Sequence, residues 1–258
     1  MSLTGKSPSE TYKDIAYVDN DNNGVTTSLK QVKTGNGSST ALQVSDRSLQ
    51  VKSATNNTTA LDVQNASGTS KLLVDTTNNY VKANGVHVNT QYAHFGVATG
   101  ALQSAVANTH YAIPFNRTFQ QDIVAIGTGT NPDTSFTISS TADDIVLCYW
   151  YIMDNITIDR VVWWSGADAS SGDTTRCHLQ SFTIDSGNGS TSGDLSSGVV
   201  LADGADITNA GYEQAYYQQM TIQSSDVSAG KVVLFTFRSD SVNSDFAINA
   251  TIKYHITG

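Results

Sequence analysis

Residues 34–97 repeat a very short apolar motif that is cut off each time by a polar turn. Thr40-Ala41-Leu42-Gln43-Val44 returns as Thr59-Ala60-Leu61-Asp62-Val63, and looser echoes follow: Leu49-Gln50-Val51, Leu73-Val74-Asp75 and Tyr80-Val81-Lys82. Each unit offers only two inward apolar side chains, which bury too little surface to offset the entropy lost on ordering the chain. We therefore predict a repetitive β stalk, built from stacked units or from the same unit of neighbouring chains around a threefold axis. An ordinary β-meander packed on the C-terminal domain is the alternative.

From residue 110 onward the pattern is that of an antiparallel β-sandwich. Apolar residues occupy every second position of the last run: Phe246, Ile248, Ala250, Ile252, Tyr254 and Ile256. Such alternation is typical of a strand with one buried and one solvated face. The runs 145–153 and 156–164 flank the turn Asp154-Asn155 and predict a hairpin in the middle of a sheet. About nine strands in roughly 150 residues favour an all-β, jelly-roll-like knob over 98–258.

The composition supports β structure and gives the two halves of the chain different charges. Only 14% of the residues are charged, and Ser, Thr, Asn, Gly and Asp, which favour turns over helices, supply the polarity. Residues 1–97 contain 8 basic and 7 acidic side chains, whereas residues 98–258 contain 6 and 16. An acidic C-terminal part repels phosphate, so we expect no nucleic-acid partner. We also expect no secretory signal and no membrane insertion, because no apolar run approaches membrane-span length.

Two local patterns mark the first 33 residues. Ser7-Pro8-Ser9-Glu10 has the form of a helix start, with Ser at the N-cap and Pro at the first helical position. It predicts a short helix that ends at Ile15 or Tyr17.

Asp19-x-Asp21-x-Asn23-Gly24 matches the first half of a calcium loop, but Lys30 stands where a bidentate Glu is needed. We interpret that stretch as an Asx-rich turn and expect no metal and no other cofactor.

The side chains that could support catalysis are poorly placed for it. Four carboxylates flank apolar strands at turn positions, where Asp is common for backbone reasons: Asp143, Asp144, Asp154 and Asp159. Cys177 and His178 are adjacent on a predicted strand, so their side chains point to opposite faces and cannot form a dyad. We therefore predict no catalytic residues and no enzyme activity.

Cys148 and Cys177 are expected to be reduced and buried, with a disulfide between them as the lesser option.

Two aromatic pairs are candidates for ligand contact: Trp163, Trp164, Tyr216 and Tyr217. If both pairs lie on strands, the two members of each pair point to opposite faces. One member is then part of the core. The other is covered by a second sheet or a neighbouring subunit, or is exposed as a platform on which a sugar ring can stack. Burial is the favoured outcome for this second member.

The residues at the N-terminus form a leader: Leu3-Thr4-Gly5-Lys6-Ser7-Pro8-Ser9-Glu10-Thr11-Tyr12-Lys13-Asp14-Ile15, followed by the Asn/Asp-rich turn that ends in Gly24. This leader resembles that of fibre-like virion proteins from tailed phages, particularly aquatic ones. The repeats around Thr59-Ala60-Leu61-Asp62-Val63 and Leu73-Val74-Asp75 are similar to the shaft repeats of such fibres. The segment 111–256 is similar in layout to their β-sandwich knobs.

The resemblance implies a homotrimer, either a short tail fibre or a head fibre, that is assembled in the host cytoplasm and located in the virion. Residues 1–33 would anchor it to capsid or tail scaffold proteins. The docking residues would be Pro8, Tyr12, Lys13 and Ile15. Residues 34–97 would form the stalk, and the knob over 98–258 has a host-surface glycan or protein as a further candidate partner. A capsid decoration protein or tail adaptor without receptor binding is the first alternative, and a glycan-binding module is the second.

Overall fold

The computed structural model describes residues 16–21, 23–97, 105–116, 123–139, 141–167, 171–210, 213–241 and 246–257. This part of the chain contains 21 β-strands, one four-residue α-helix and one 3-10 turn, which confirms the expected all-β class. Within these ranges no helix is long and apolar enough to span a bilayer. The chain divides into two compact units, Met1–Val88 and Asn89–Gly258.

The N-terminal unit contains two antiparallel four-stranded meanders, in which the strands lie side by side in chain order. The first meander consists of β1 (Ala16–Val18), β2 (Lys30–Thr34), β3 (Ser39–Val44) and β4 (Leu49–Val51). The second consists of β5 (Leu61–Gln64), β6 (Ser70–Asp75), β7 (Tyr80–Ala83) and β8 (Val86–His87). The two repeated motifs overlap β3 and β5, and the looser repeats lie in β4, β6 and β7. These short segments are therefore strands, as predicted.

The turn between β6 and β7 shows how polar residues end these strands. Asp75 accepts hydrogen bonds from the backbone N–H groups of Thr77 and Asn78, which leaves neither donor unsatisfied. Burial by itself would raise the pKa of Asp75. The hydrogen bonds from Asn78, Tyr80 and Thr77 outweigh it and hold that pKa below its ordinary value.

The first meander includes part of the predicted anchor. β1 pairs with β2, and β2 continues the sheet into β3, so the boundary predicted after residue 33 falls inside one sheet. Tyr17 lies in a strand, and the suggestion that the N-terminal helix reaches it is wrong. The rest of that helix lies outside the described residues. So do the predicted docking residues Pro8, Tyr12, Lys13 and Ile15.

The Asp/Asn-rich stretch between β1 and β2 forms a hydrogen-bonded turn. Asn20 Nδ2 donates to the carbonyl of Gly24 at 2.8 Å, and the N–H of Asn23 donates to the carbonyl of Asn20 at 2.8 Å. The carboxylate of Asp19 lies 2.6 Å from Lys33 Nζ. The hydrogen bond from Lys33 to Asp19 raises the pKa of the lysine. Asp19, which would be the first oxygen ligand in the calcium-loop pattern, is thus paired with a lysine.

The C-terminal unit is built from eight main strands and five short ones among the described residues. The main strands are β9 (Thr90–Val97), β10 (Thr109–Ile113), β13 (Ile156–Ala167), β14 (Thr174–Ile184), β15 (Leu195–Asp203), β17 (Gln214–Gln219), β20 (Lys231–Ser239) and β21 (Phe246–Ile256). The short strands are β11 (Val124–Ala125), β12 (Trp150–Tyr151), β16 (Ile207–Thr208), β18 (Thr221–Ile222) and β19 (Asp226–Val227). Helix α1 (Ala142–Ile145) leads into the 3-10 turn Val146–Cys148.

These strands form two antiparallel sheets. The first, which we call the covered sheet, has the order β11-β10-β20-β14-β15-β18, with β12 beside β20 and β16 beside β14. The second, which we call the open sheet, has the order β17-β13-β21-β9, with β19 beside β13. Among the eight main strands the first pairs with the eighth, the second with the seventh, the third with the sixth and the fourth with the fifth. The chain thus follows the path of one long hairpin that is folded over into two sheets.

The inward side chains of the two sheets share one core. Trp163 and Ile252 enter it from the open sheet and Phe237 enters it from the covered sheet, all without solvent exposure. Phe95 stacks on Phe235 across the sandwich, with ring centroids 5.8 Å apart. Each such side chain contributes roughly 1.5–3 kcal/mol by burial, so this core accounts for the cohesion of the two sheets.

The opposite face of the covered sheet carries a second core beneath the segment 123–149. Phe182 packs there with Ile145 and Cys148, whereas Cys177 points into the core between the sheets. The two cysteines therefore lie on opposite sides of the covered sheet. Neither is in a disulfide and both are buried, which confirms the prediction.

Two features of the sandwich differ from the sequence-based expectations. Residues 89–97, predicted as the end of the stalk, belong to the C-terminal unit, because β9 pairs with β21 and inserts Phe95 into the core. The predicted hairpin between 145–153 and 156–164 is wrong. The first segment is helical as far as Cys148 and then adds β12 to the covered sheet, while β13 belongs to the open sheet. The turn at Asp154-Asn155 thus connects the two sheets.

Candidate functional site

The outward face of the open sheet displays aromatic and cationic side chains in register. Arg160, Lys253 and Tyr92 are direct partners across three strands. The next level, two residues further along β13, pairs Val162 with Thr251. At the next level Trp164 is the partner of Tyr217 and of Asn249. We call this surface the outer strip, with the members Tyr92, Arg160, Val162, Trp164, Tyr217, Thr251 and Lys253.

The alternation of each strand puts these residues on the surface. In β13 the residues Val161, Trp163 and Ser165 are buried, so the side chains between them point outward. Trp164 is 48% exposed and Tyr217 is 47% exposed. This level of exposure for two large rings on one face is characteristic of surfaces that bind a partner or ligand.

The two rings form a pair that a polar contact holds in place. The ring centroids of Trp164 and Tyr217 lie 5.1 Å apart with an interplanar angle of 54°. Arg160 Nη2 donates to Tyr217 Oη at 3.0 Å, which ties the far end of the tyrosine to the cationic level of the strip. The aromatic surface is thus coupled to a guanidinium whose other N–H groups are available for a ligand.

A groove of about 420 Å³ runs along the strip. Its lining consists of Tyr92, Arg160, Val162, Tyr217, Thr251 and Lys253. Apolar rings, an aliphatic side chain, a hydroxyl and two cations meet in it. Such a mixture can stack on a flat ring, hydrogen-bond to it and attract an anion.

The outer strip is basic, although the protein as a whole has a formal net charge of −9. Besides Asp226 in β19, which accepts a hydrogen bond from Thr157, the strands of the open sheet contain a single carboxylate, Asp159. It lies at a β-bulge next to Arg160, and its Oδ1 is 3.0 Å from Nδ1 of His255. At the levels of Thr251 and Trp164 no acidic side chain stands in these strands to compete for Arg160 and Lys253.

The four aromatic residues proposed as ligand contacts separate into two groups. Trp164 and Tyr217 lie together on the outer strip. Trp163 is fully buried in the core, where its Nε1 donates to Gln218 Oε1 at 3.2 Å, so it cannot touch a ligand on this face. Tyr216 is half-buried on the inward side, and its hydroxyl lies 2.7 Å from Asn209 Oδ1. The opposite orientation of the members within each pair is what strand alternation predicts.

Sequence reasoning missed five of the seven members of the strip, among them Arg160, Lys253 and Tyr92. Arg160 precedes Trp164 by four residues and lies on the same face of β13, so the alternation alone could have found it. Lys253 lies on the polar side of the last strand, whose pattern was recognised. Tyr92 was assigned to the stalk, and only its pairing with Lys253 brings it to the groove.

The carboxylates considered for acid–base chemistry are distributed over different elements. Asp143 and Asp144 lie in α1, Asp154 lies between β12 and β13, and Asp159 contacts His255. Within the described residues no group of three or more His, Cys, Asp and Glu side chains is arranged to hold a metal ion.

A second polar cluster lies on the outer face of the covered sheet and is buried. The rings of His110 and His178 approach within 5.0 Å and have no solvent exposure. His110 Nε2 lies 3.0 Å from the carbonyl of Gly129. His178 Nε2 lies 3.2 Å from Asp203 Oδ1, without hydrogen-bond alignment, and Arg176 donates to both oxygens of that carboxylate.

Burial keeps these histidines neutral. It lowers the pKa of His110 below its ordinary value and lowers that of His178 to about 4. The carboxylate of Asp203 acts in the opposite direction, whereas Arg176 and Arg238 add to the lowering of the His178 pKa. Thr236 Oγ1 and Nδ1 of both rings have no hydrogen-bond partner among the described residues, which is typical of a site for internal water.

Comparison with known proteins found no family model and no curated protein that matches this chain.

Proposed function

We propose that this chain is a non-enzymatic structural subunit of a tailed-phage virion, a homotrimeric fibre with an N-terminal anchor and a C-terminal knob. The observation that carries the proposal is the lack of an apolar core in the described part of the N-terminal unit. Among the residues described between 16 and 88, only Asp75 is buried, and it is polar. The apolar side chains of these strands are left at the surface, among them Leu42, Leu49, Leu61, Val63 and Leu72.

A trimer would supply the missing core. Leu49 is 67% exposed and Val63 is 48% exposed in the single chain. Burying side chains of this size against neighbouring copies would contribute roughly 1.5–3 kcal/mol each, which a thin meander needs if it is to stay ordered. A closed rotational arrangement of three copies would also protect the edges of the meanders from further strand pairing.

The arrangement of the C-terminal unit supports the same proposal. We infer that its nested pairing of first with last strand, second with seventh, third with sixth and fourth with fifth is that of a jelly roll. Eight-stranded jelly rolls occur in viral capsid and lectin domains. That association concerns the fold, and the leader resemblance at Leu3-Thr4-Gly5-Lys6-Ser7-Pro8 links it to a virion rather than to another setting.

Light scattering on the full chain tests the oligomeric state. We expect a mass close to three times the 27.4 kDa chain. Leu49→Asp places a charge in the proposed contact between copies and should shift the mass towards that of one chain. Thr58→Asp, at an exposed polar position of the same unit, should leave the mass unchanged. A monomeric wild-type chain would contradict the trimer and favour a decoration or adaptor protein.

Labelling of phage particles tests the location. Antibodies raised against the purified protein should bind a fixed site on the capsid or tail in electron micrographs. Particles that lack the protein altogether would contradict the virion assignment.

A further inference from the structure

We propose that the outer strip binds an acidic glycan, a chain of sugars that carry carboxylate groups, with sugar rings on Trp164 and Tyr217 and a carboxylate on Arg160 and Lys253. This inference goes beyond the fibre proposed above. It rests on the open sheet of a single chain and does not require a trimer.

The aromatic end of the strip offers the stacking surface. Trp164 and Tyr217 are neighbours across β13 and β17, and each is about half exposed, so their rings form a platform of two adjoining faces tilted by 54°. A pyranose ring has a flat apolar side whose C–H groups pack on such a platform, while its hydroxyl groups remain free to hydrogen-bond. Asn249 and Gln219 flank the platform in register and provide side-chain amides for those hydroxyl groups.

The cationic end selects the charge of the ligand. Arg160 and Lys253 are direct partners across β13 and β21, and Tyr92 continues the same level on β9. A guanidinium binds a carboxylate through paired N–H groups, and a neighbouring ammonium adds a second charge-assisted hydrogen bond. Arg160 uses one Nη2 hydrogen bond on Tyr217, which keeps the guanidinium close to the platform.

The spacing suits an extended ligand. Arg160 and Trp164 are four residues apart on one strand, which corresponds to about 13 Å. The Arg160 guanidinium itself reaches Tyr217, so a short oligosaccharide that lies along the strip can contact this cation, the aromatic rings and Lys253 together. Val162 and Thr251 line the groove at the level between the two ends, in keeping with a ligand that lies along the sheet.

The other occupants fit less well. Nucleic acid needs many phosphate contacts, and two cations on a chain of net charge −9 do not supply them. A second copy docked face to face about a twofold axis through the level of Arg160 and Lys253 would bring these cations against the same cations of its neighbour, which is unfavourable. An acidic glycan presents the charge that complements Arg160 and Lys253.

Titration of the full chain with a hexameric oligouronate tests the proposal. The methyl ester of the same hexamer keeps the rings and removes the charge, so it serves as the ligand control. We expect the acid to bind at least tenfold more tightly than the ester. Trp164→Ala should weaken binding of both ligands at least tenfold, and Arg160→Gln should remove most of the preference for the acid.

Matched variants separate the site from general effects. Tyr151→Ala removes another exposed aromatic ring, and Lys71→Gln removes another exposed cation; neither should change binding. Light scattering of every variant shows whether the oligomer is intact. Variants that keep their mass but lose the ligand support the site, whatever that mass is.

Three results would overturn the proposal. The first is a wild-type chain that binds neither this hexamer nor any acidic oligosaccharide on a glycan array. The second is equal affinity of wild type, Trp164→Ala and Arg160→Gln. The third is a mass that falls on Trp164→Ala, because the strip would then be covered by a second copy. A monomer that binds the acid would contradict the fibre and leave the site standing.

Discussion

Trp163 and Trp164 are adjacent in the chain, yet the first has no solvent exposure and the second is 48% exposed. They lie on β13, whose two faces look into the core and away from it. Trp163 packs between the sheets and donates to Gln218, whereas Trp164 pairs with Tyr217 on the outer strip. Trp163 thus stabilises the core, whereas Trp164 is available to contact a ligand.

This relationship predicts opposite effects of two otherwise identical substitutions. Trp163→Ala should lower the free energy of unfolding by about 3–5 kcal/mol, because it leaves a large cavity in the core. Trp164→Ala should lower it by only about 1 kcal/mol, since half of that ring is already in water. Chemical denaturation of both variants at one protein concentration measures the difference. Equal losses would mean that the exposed ring is covered in solution.

Acid should weaken the fold through the buried histidine cluster. The pKa of His178 falls from 6.5 to about 4 on folding, so between these values the unfolded chain binds more protons than the folded one. The stability that the neutral His178 contributes is therefore fully present above pH 6.5 and decreases as the pH falls towards 4. Below pH 4 this group causes no further loss. The loss from His178 is on the order of 3 kcal/mol.

His178→Gln tests that explanation, because it keeps a polar side chain and removes the titration. Unfolding by urea at pH 7 and pH 5 gives the difference in stability for wild type and variant. We expect a smaller difference in the variant. His94→Gln, at an exposed histidine, should behave as wild type. An unchanged pH dependence in His178→Gln would assign the acid sensitivity to other groups.

Both cysteines should be unreactive until the protein unfolds. Burial raises the pKa of Cys148 to about 12 and that of Cys177 well above its ordinary value, so neither forms the reactive thiolate at neutral pH. A thiol reagent should label no cysteine in the native protein and two in denaturant. Rapid labelling of one cysteine under native conditions would show that the packing around that cysteine opens readily.

Gly198 should tolerate no side chain. A Cβ atom at this position would lie 2.8 Å from Thr134 Cα and 2.8 Å from Phe182 Cε1, and would also meet the side-chain amide of Gln180. Gly198→Ala should therefore destabilise the protein by about 1–3 kcal/mol. Gly189→Ala is the matched control, since nothing lies within 4 Å of its added methyl group, and a change within about 0.5 kcal/mol is expected. Thermal unfolding of the two variants distinguishes these outcomes.

The sequence by itself determined which class of structure forms and how single strands are oriented. The period of two places Phe246, Ile248 and Ala250 on one face, and the same rule separates Trp163 from Trp164. Short polar turns mark the ends of β3 and β5, and the adjacent pair Cys177 and His178 points to opposite faces. These are local properties, because a strand and its alternation depend only on neighbouring residues.

The tertiary structure alone decided which strands pair and which faces stay open. β9 pairs with β21, about 150 residues later, and this pairing brings Tyr92 to Lys253. The described residues of 123–149 pack over one sheet, whereas Trp164 and Tyr217 on the other sheet stay about half exposed and the rings of His110 and His178 are buried. Alternation states that a face is polar or apolar, but what lies over that face depends on contacts between residues far apart in the chain, which no local pattern contains.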